Sequence, residues 1–570
     1  ATGLLSCARN VYGALPNGFY GLDTVLLEAV LRALTGQARA EGATRIDPAS
    51  FGRVLGLDRA PEVKTIRRKL ALLAATGKTD RLIAAMAATH LARATGRDEQ
   101  AGLLLYVDGH VRAYHGTRKV GKTHLARLKF PAPATLETWV NDAHGDPVLV
   151  VMAEPGASLA GELRRLVPDL RAAVGDDRRV LVGFDRGGWS PALFKHLHGH
   201  GFDSLTWRKG AAEVIPAKAF RELTYRDPDT GQEYAWRAAD TTVDLPLGTK
   251  PGPDGAEPVF TMRQVTLAVP VTKHARTTPD TPADDTPEAG TTGAGTPADD
   301  TPGAGTTGDD GVVDLAGTRQ IHILTTRTDL PAEEIIYRMG ARWRQENHFR
   351  YGRMHFDLDS HDCYASADDD PGRSVPNPAK KRAHAKVTAA RARVEQAAAA
   401  TDAALLAART PVPGAPVTIT NREHDQLTAD LRAAQAALTL AEAAHKDTPA
   451  RLPLRLVNPG QQVLDVQTKL VNHAIRMAAF NTVTTLAREL RLHTGYARKK
   501  HEAHTLIRQA LRATGDIDPT TDGVLTIRLD PLPTRRASTA IAELCQHLTA
   551  TNTRYPGTDL IMRYEIKTAL

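Results

Sequence analysis

Apolar positions in the first hundred residues recur at helical spacing. DTVLLEAVLRAL (23–34) predicts an amphipathic helix. DPASFGRVLGLDRAPEVKTIRRKLALLAATG (47–77) reads as helix, short Gly-containing turn and helix, with Pro61 in the first turn of the second. From residue 101 the period changes. LLLYVDGHVRAYHG predicts two strands about a tight Asp-Gly turn, HLARLKF a third strand, and VLVVMAE (148–154) another. SLAGELRRLVPDLRAAV (158–174) is helical. RVLVGFD (179–185) is a continuous apolar strand, the kind buried on both faces of a sheet. SPALFKHLHGHG predicts a short helix and FDSLTWRKG a further strand. Together these predict a mixed α/β domain with parallel elements.

Residues 211–272 read as β-rich, from YAWRAADTTVDLPL and TMRQVTLAVPV. TPADDTPEAGTTGAG (281–295) is then repeated as TPADDTPGAGTTGDD (296–310), a composition that cannot build a core and reads as disordered. QIHILTTRT (320–328) restores a strand, and DLPAEEIIYRMGARWRQENHFRYGR reads as one helix, with Asp329 as its cap and Pro331 near its first turn. Two Ala-rich stretches (380–408 and 423–447) predict an antiparallel helical hairpin, and residues 461–490 a long amphipathic helix. VLTIRLDPL, RRASTAIAELCQHLTA and LIMRYEIK close the chain as strand, helix and strand. The expected organisation is a helical N-terminal region (1–100), a first core segment (101–210), a β-rich insertion (211–273), a linker (274–318) and a second core segment (319–365). A helical hairpin insertion (366–455), C-terminal helices (456–515) and a small strand–helix–strand appendage (516–570) follow.

Length and composition narrow the class. At 570 residues the chain is long enough for several domains, and 42% hydrophobic content supports real cores. The net charge of +7 and a pI near 9.2 have the sign that suits a polyanionic partner, although 65 acidic residues nearly balance 72 basic ones. Cys7, Cys363 and Cys545 are few and far apart, so neither a disulfide framework nor a thiolate zinc site is suggested, which fits a reducing cytoplasm. No apolar run approaches the roughly 18 residues of a spanning helix.

Three carboxylates stand out. Asp108 and Asp185 close apolar runs, and Glu346 lies in the Arg-rich helix downstream. Two strand-borne carboxylates and one on a helix can hold a pair of divalent ions about 3.5–4 Å apart, which activate an oxygen nucleophile and stabilise a leaving oxygen at phosphorus. Mg²⁺ prefers such oxygen donors. At about 100° per residue, Arg342, Glu346 and Arg353 fall on one stripe, with Arg350 one turn on from Glu346 and Ile336, Met339 and Trp343 on the adjoining apolar face. Guanidiniums suit phosphate contact. Taken on their own, the same residues read more simply as a solvated helix with i,i+4 Glu–Arg pairs. Lys64, Arg67, Arg68 and Lys69 decorate the second helix of 47–77, giving either a helix-turn-helix-like DNA-binding unit or a hairpin with a solvated basic face.

GTRKVGKT (116–123) matches the phosphate-loop pattern G-x-x-x-x-G-K-[ST] from Gly116 to Thr123, which opens a nucleotide-binding alternative through Lys122. Pro131 and Pro133 leave little room for the helix that should begin there, and HLARLKF suits a strand as well. HLHGH (196–200) reads as a polar helix end or a metal site. Asp357 and Asp359 read as a solvated turn or as substitute ligands, and Trp236 as a core residue or a base-stacking aromatic.

Together, YVDGHVRAYHG, VGFDRGGWS and RMGARWRQENHFRYGRMHFDLD resemble the DDE-type transposases of bacterial insertion sequences over about 101–365, and GLDRAPEVKTIRRKL and the C-terminal helices are similar to the same group. The resemblance implies an RNase H-like mixed sheet with flanking helices, a β-rich insertion, and helical N- and C-terminal regions. It implies Asp108, Asp185 and Glu346 as catalytic residues and ligands of Mg²⁺, or of Mn²⁺ in its place. It implies cleavage at transposon ends followed by attack of the freed 3′-OH on target DNA. Arg342, Arg350, Arg353, Lys64, Arg67 and Arg68 become candidate DNA contacts. A homodimer pairing two double-stranded DNA ends, in a bacterial cytoplasm at the nucleoid, is expected. Of the Tyr-Arg-Glu-Lys signature of one branch, Arg342 and Glu346 match, Met339 stands at the Tyr position with Tyr337 near, and Arg353 stands at the Lys position. A transposase-derived DNA-binding protein that no longer cuts is the remaining alternative.

Overall fold

The computed structural model describes residues 2–15, 18–93, 103–125, 129–210, 212–228, 230–248, 257–270, 312–313, 318–408, 420–494 and 500–567. The repeat linker (274–318) lies outside them except for 312–313 and Thr318. The chain divides into two compact units: residues 1–114, 122–364 and 465–570 form one, and residues 115–121 and 365–464 the other.

In the first unit the N-terminal helical period becomes α1 (Leu4–Tyr12), α2 (Leu22–Leu34), α3 (Pro48–Val54), α4 (Val63–Ala75) and α5 (Thr79–Arg93). Asp47 caps α3 by accepting from the Ser50 N–H at 2.7 Å. The turn after α3 folds back so closely that a Cβ on Gly52 would meet the Arg59 backbone at 2.6 Å. Pro61 precedes α4 rather than opening it, and Glu62 is the N-cap residue. One face of α4 buries Ile66, Leu70 and Leu73, while Lys64, Arg67 and Arg68 are exposed on the other.

The change of period at 101 marks the start of the main sheet. Its strands and helices are β1 (Leu103–Ala113), β2 (Lys122–Leu125), β3 (Phe130–Asp142), β4 (Pro147–Ala153), α6 (Leu159–Val174), β5 (Val180–Phe184), α7 (Pro191–Gly199), β6 (Phe202–Trp207), β7 (Arg221–Arg226), β8 (Glu233–Pro246), β9 (Val259–Pro270), β10 (Val312–Val313), β11 (Thr318–Thr325), α8 (Ala332–Gly340) and α9 (Trp343–Phe356). The described strands run β2-β3-β1-β5-β6-β11-β9-β8-β7, with β4 also on β3 and β10 also on β11. β1 is antiparallel to β3 and parallel to β5, and β5 is parallel to β6. All five residues of β5 are buried, as a continuous apolar run requires at the middle of a sheet. β11 lies antiparallel to both β6 and β9, so the β-rich segment continues the same sheet.

Two local expectations fail for the same reason, a distant partner. No Asp-Gly turn forms: β1 runs through Asp108 and Gly109, which pair with Trp139 and Thr138 of β3. The single helix expected over 329–353 is two, α8 and α9, broken at Ala341–Arg342. An unbroken helix would send the Arg342 N–H to the Arg338 carbonyl. The Tyr106 hydroxyl donates to that carbonyl instead, at 2.5 Å, and the Arg342 N–H goes to Met339. Tyr106 reaches across because its register partner on β5 is Gly183, where a Cβ would meet the tyrosine ring at 2.8 Å. Asp329 is not a cap. It accepts from Arg327 and Arg179, and Pro331 takes the cap position of α8.

The second unit holds β12 (Ser366–Asp368), β13 (Ser374–Pro376), α10 (Pro378–Ala408), α11 (Asn421–Leu427), α12 (Ala429–Asp447), β14 (Arg451–Pro453), α13 (Leu454–Val457) and β15 (Gln462–Leu464). α10 and α12 pack together as the expected hairpin, with an Arg391–Glu442 ion pair at 2.8 Å. Among the described residues, Val387, Ala397 and Thr401 of α10 and Ala434 of α12 are the buried ones, so the Ala-rich hairpin is thin.

The chain returns to the first unit with α14 (Val466–His493), α15 (Lys500–Ala510), β16 (Gly515–Asp518), β17 (Val524–Leu529), α16 (Arg535–Ala550) and β18 (Ile561–Ile566). α14 packs on α2, α4, α5, β4 and α9. β17 and β18 are parallel across α16, with β16 antiparallel to β17. No helix among the described residues is long and apolar enough to cross a membrane.

Candidate active site

Asp108 sits on β1 one residue past Val107, which is the last parallel partner of Phe184 on β5. Asp185 is the residue after Phe184, so the two carboxylates follow one another at the same level of neighbouring strands. Each is fixed by backbone: Asp108 Oδ1 accepts from the Gly109 N–H and Asp185 Oδ1 from the Gly187 N–H, both at 2.8 Å. Asp108 is therefore in the interior of a strand and not at its end.

Glu346 arrives on the first turn of α9. The helix is anchored by Gln345, whose buried amide donates to the Tyr106 and Trp139 carbonyls, both at 3.2 Å, and to Asn141 Oδ1 at 2.9 Å. The break before α9 places Arg342 at its N-cap position, with its side chain over the sheet. Arg342 donates to Asp108 Oδ2 at 3.3 Å and to Glu346 Oε1 at 2.8 Å, joining the first and third carboxylates. Its side chain is 10% exposed, against 60% for Glu346.

The electrostatics show crowding. Burial, and next the charge of Asp185, push Asp108 up to about 7; Arg342 and the Gly109 N–H work the other way and Glu346 adds to the rise. One guanidinium does not neutralise three carboxylates. The donors are all hard oxygens on rigid elements, which fits Mg²⁺. Their ligand atoms are not gathered on one point. Among the described residues, the group of three with all ligand atoms within 4.8 Å of one another is Glu489, His493 and His547, elsewhere in the fold. A pair of ions needs a wider span than a single ion.

Behind Glu346, the chain leaving α9 is held by buried charge that periodicity did not reveal. Arg476 of α14 donates to the Phe356 carbonyl and to both oxygens of Asp362, and Lys469 to the Leu358 and Ser360 carbonyls. Arg112 of β1 donates to the Ser360 carbonyl and to Glu137, and His473 Nε2 lies 3.0 Å from the same Glu137 carboxylate. Burial opposes the charge of Glu137, but His473, Arg112 and Lys469 outweigh it and hold the group well below the usual range. Asp359 bonds His110 at 2.9 Å, and Asp357 pairs with Arg39, so neither is a loose carboxylate.

The remaining candidates separate clearly. Arg350 and Arg353 are exposed on α9. On α4, Arg67 pairs with Glu41, and Lys64 and Arg68 are exposed. Lys69, on the same helix, is buried. The setting of a phosphate loop is not met: where a helix should begin, Lys122 starts β2, paired with β3, and the Thr123 hydroxyl accepts from the Gly156 N–H at 3.1 Å. In HLHGH, His196 and His200 pack ring to ring at 4.3 Å at the end of α7. Trp236 is half-buried on β8, stacked on Tyr234.

Fold and site define a mixed α/β protein whose central parallel strands carry a carboxylate cluster under an arginine-bearing helix. The chain belongs to the transposase family: the family described as "Transposase protein" matches residues 1–226 and 312–568. The match leaves out 227–311, the stretch that holds β8, β9 and the repeat. No curated protein matches the chain.

Proposed function

We propose that this transposase is of the DDE type, with an RNase H-like core and Asp108, Asp185 and Glu346 as its catalytic carboxylates. The observation that carries the proposal is the approach of three carboxylates from β1, the end of β5 and α9, where burial and then the charge of Asp185 push Asp108 up to about 7. The order β4-β3-β1-β5-β6, antiparallel on one side of β1 and parallel on the other, supports the RNase H-like reading.

Asp108, Asp185 and Glu346 would hold Mg²⁺, or Mn²⁺ in its place. Such ions, when bound, activate the attacking oxygen and stabilise the departing one. The chain's own part is positional. Strand pairing fixes Asp108, Gln345 fixes the first turn of α9, and Arg342 holds Glu346 toward the sheet. DNA is the substrate, both transposon ends and target. Hydrolysis breaks the P–O3′ bond at the transposon end and leaves a 3′-OH. That oxygen then bonds to a target phosphorus while the target's own 3′ oxygen leaves with the proton, so the number of phosphodiester bonds is conserved. Arg350 and Arg353 contact phosphates along α9, and Lys64, Arg67 and Arg68 form a second contact on α4. Two subunits pair two ends.

The test is strand cleavage and joining with Mg²⁺ on the element's own ends, comparing the parent protein with Asp185→Ala. Loss of both reactions with DNA binding retained is expected. DNA binding by the parent protein with no metal-dependent cleavage would mean a transposase-derived protein that no longer cuts.

A further inference from the structure

Far from the carboxylate cluster, the last turn of α14 meets α16. Glu489 and His493 lie one helical turn apart on α14, and His547 comes from α16. One carboxylate oxygen, Glu489 Oε2, faces both imidazoles, 3.3 Å from His493 Nε2 and 3.2 Å from His547 Nε2. All three ligand atoms lie within 4.8 Å of one another.

The two nitrogen–oxygen separations, 3.3 and 3.2 Å, are at the long end for an N–H···O hydrogen bond and close to the roughly 3.3–3.4 Å that separates ligands held 2.0–2.1 Å from a tetrahedral zinc ion. The rings stack with centroids 4.1 Å apart; tetrahedral binding through both Nε2 atoms would part them to about 5.2 Å. That is a small side-chain adjustment for histidines 42% and 36% exposed.

We propose that Glu489, His493 and His547 form a binding site for Zn²⁺ or a similar borderline transition-metal ion. Two imidazoles and a carboxylate select such ions over Mg²⁺. Cys545, two residues before His547, is buried on the other face of α16 and does not complete the set, so the fourth position would be left to water. The ion would pin α16, and with it β16, β17 and β18, to the end of α14. This site is independent of the proposed chemistry at Asp108.

The test uses the full chain carrying Asp185→Asn, so that ions at the carboxylate cluster do not contribute. After chelator treatment, Zn²⁺ alone is titrated by calorimetry and the thermal midpoint is followed. One tightly bound Zn²⁺ per chain and a raised midpoint are expected. His547→Ala and, on the other helix, His493→Ala should each weaken binding by more than about 100-fold, beyond the cost of losing an outer-shell partner. Zinc uptake unchanged in both variants, or no uptake by the Asp185→Asn chain, would overturn the site.

Discussion

Replacing Asp362 by alanine removes the carboxylate that faces two buried cations. Arg476 donates to both of its oxygens at 2.7 Å, and Lys469 Nζ lies 3.1 Å away. The Asp362, Arg476 and Lys469 side chains are 8%, 5% and 4% exposed, so water screens them little. Breaking a buried pair by removing one partner costs about 3–5 kcal/mol. Lys469 offers some relief. Burial already lowers it to about 7, and without Asp362 it sheds its proton more readily, which places the expected cost near the lower end, about 3 kcal/mol. Urea unfolding of the full chain measures it, with Trp139, buried 4.8 Å from His473, contributing to the fluorescence. With two units in the chain, the comparison is between the transitions that carry this signal. The pH profile gives an independent readout. Asp362 is held below its ordinary value by Arg476 and Lys469 against the effect of burial, so its contribution is present above about pH 4 and lost as pH falls. Lys469 works in the other direction. Between about pH 7 and 10 the unfolded chain binds a proton that the folded chain does not, so stability rises with pH across that window. The variant should lose part of the acid sensitivity and begin its alkaline gain at lower pH. A variant within about 1 kcal/mol of the parent, with the same pH profile, would refute the assignment of Asp362 as the counter-charge.

Gln345→Leu keeps the volume but withdraws a buried donor from the Tyr106 and Trp139 carbonyls and from Asn141. A loss of roughly 1–3 kcal/mol and slower Mg²⁺-dependent cleavage with DNA binding retained are expected; an unchanged thermal midpoint counts against the anchor. Arg350→Glu and Arg353→Glu should weaken binding to unrelated DNA sequences alike, and reduce the slope of log affinity against log salt by about one for each phosphate no longer neutralised. Identical slopes in parent and variants would mean that these arginines face away from DNA. Lys122→Ala should change nothing in equilibrium dialysis with ATP, because β2 occupies the place of a phosphate-loop helix; Lys122-dependent binding would reinstate the nucleotide reading.

The residues that carry their own context were legible without the fold. RVLVGFD must be buried on both faces, so β5 and the exit of Asp185 from it follow from composition alone. The alternation after residue 101 defined a mixed α/β protein, and the Ala-rich pair defined a hairpin. Positions that depend on a partner far along the chain were not legible. Asp-Gly favours a turn locally, yet nine paired positions with β3 carry β1 straight through Asp108. The helix before Arg342 breaks because a hydroxyl from Tyr106 takes its carbonyl, and that break aims Arg342 at Asp108. Lys469, His473 and Arg476 look like the polar face of an amphipathic helix until Asp362 and Glu137 are brought to them. Periodicity records which face of an element is buried. It does not record which charge lies opposite. The order of apolar and polar residues was thus enough for most strands and helices and for the three candidate carboxylates; only long-range pairing, which a local pattern cannot carry, put Arg342 between Asp108 and Glu346 and set Asp362 and Glu137 against their buried cations.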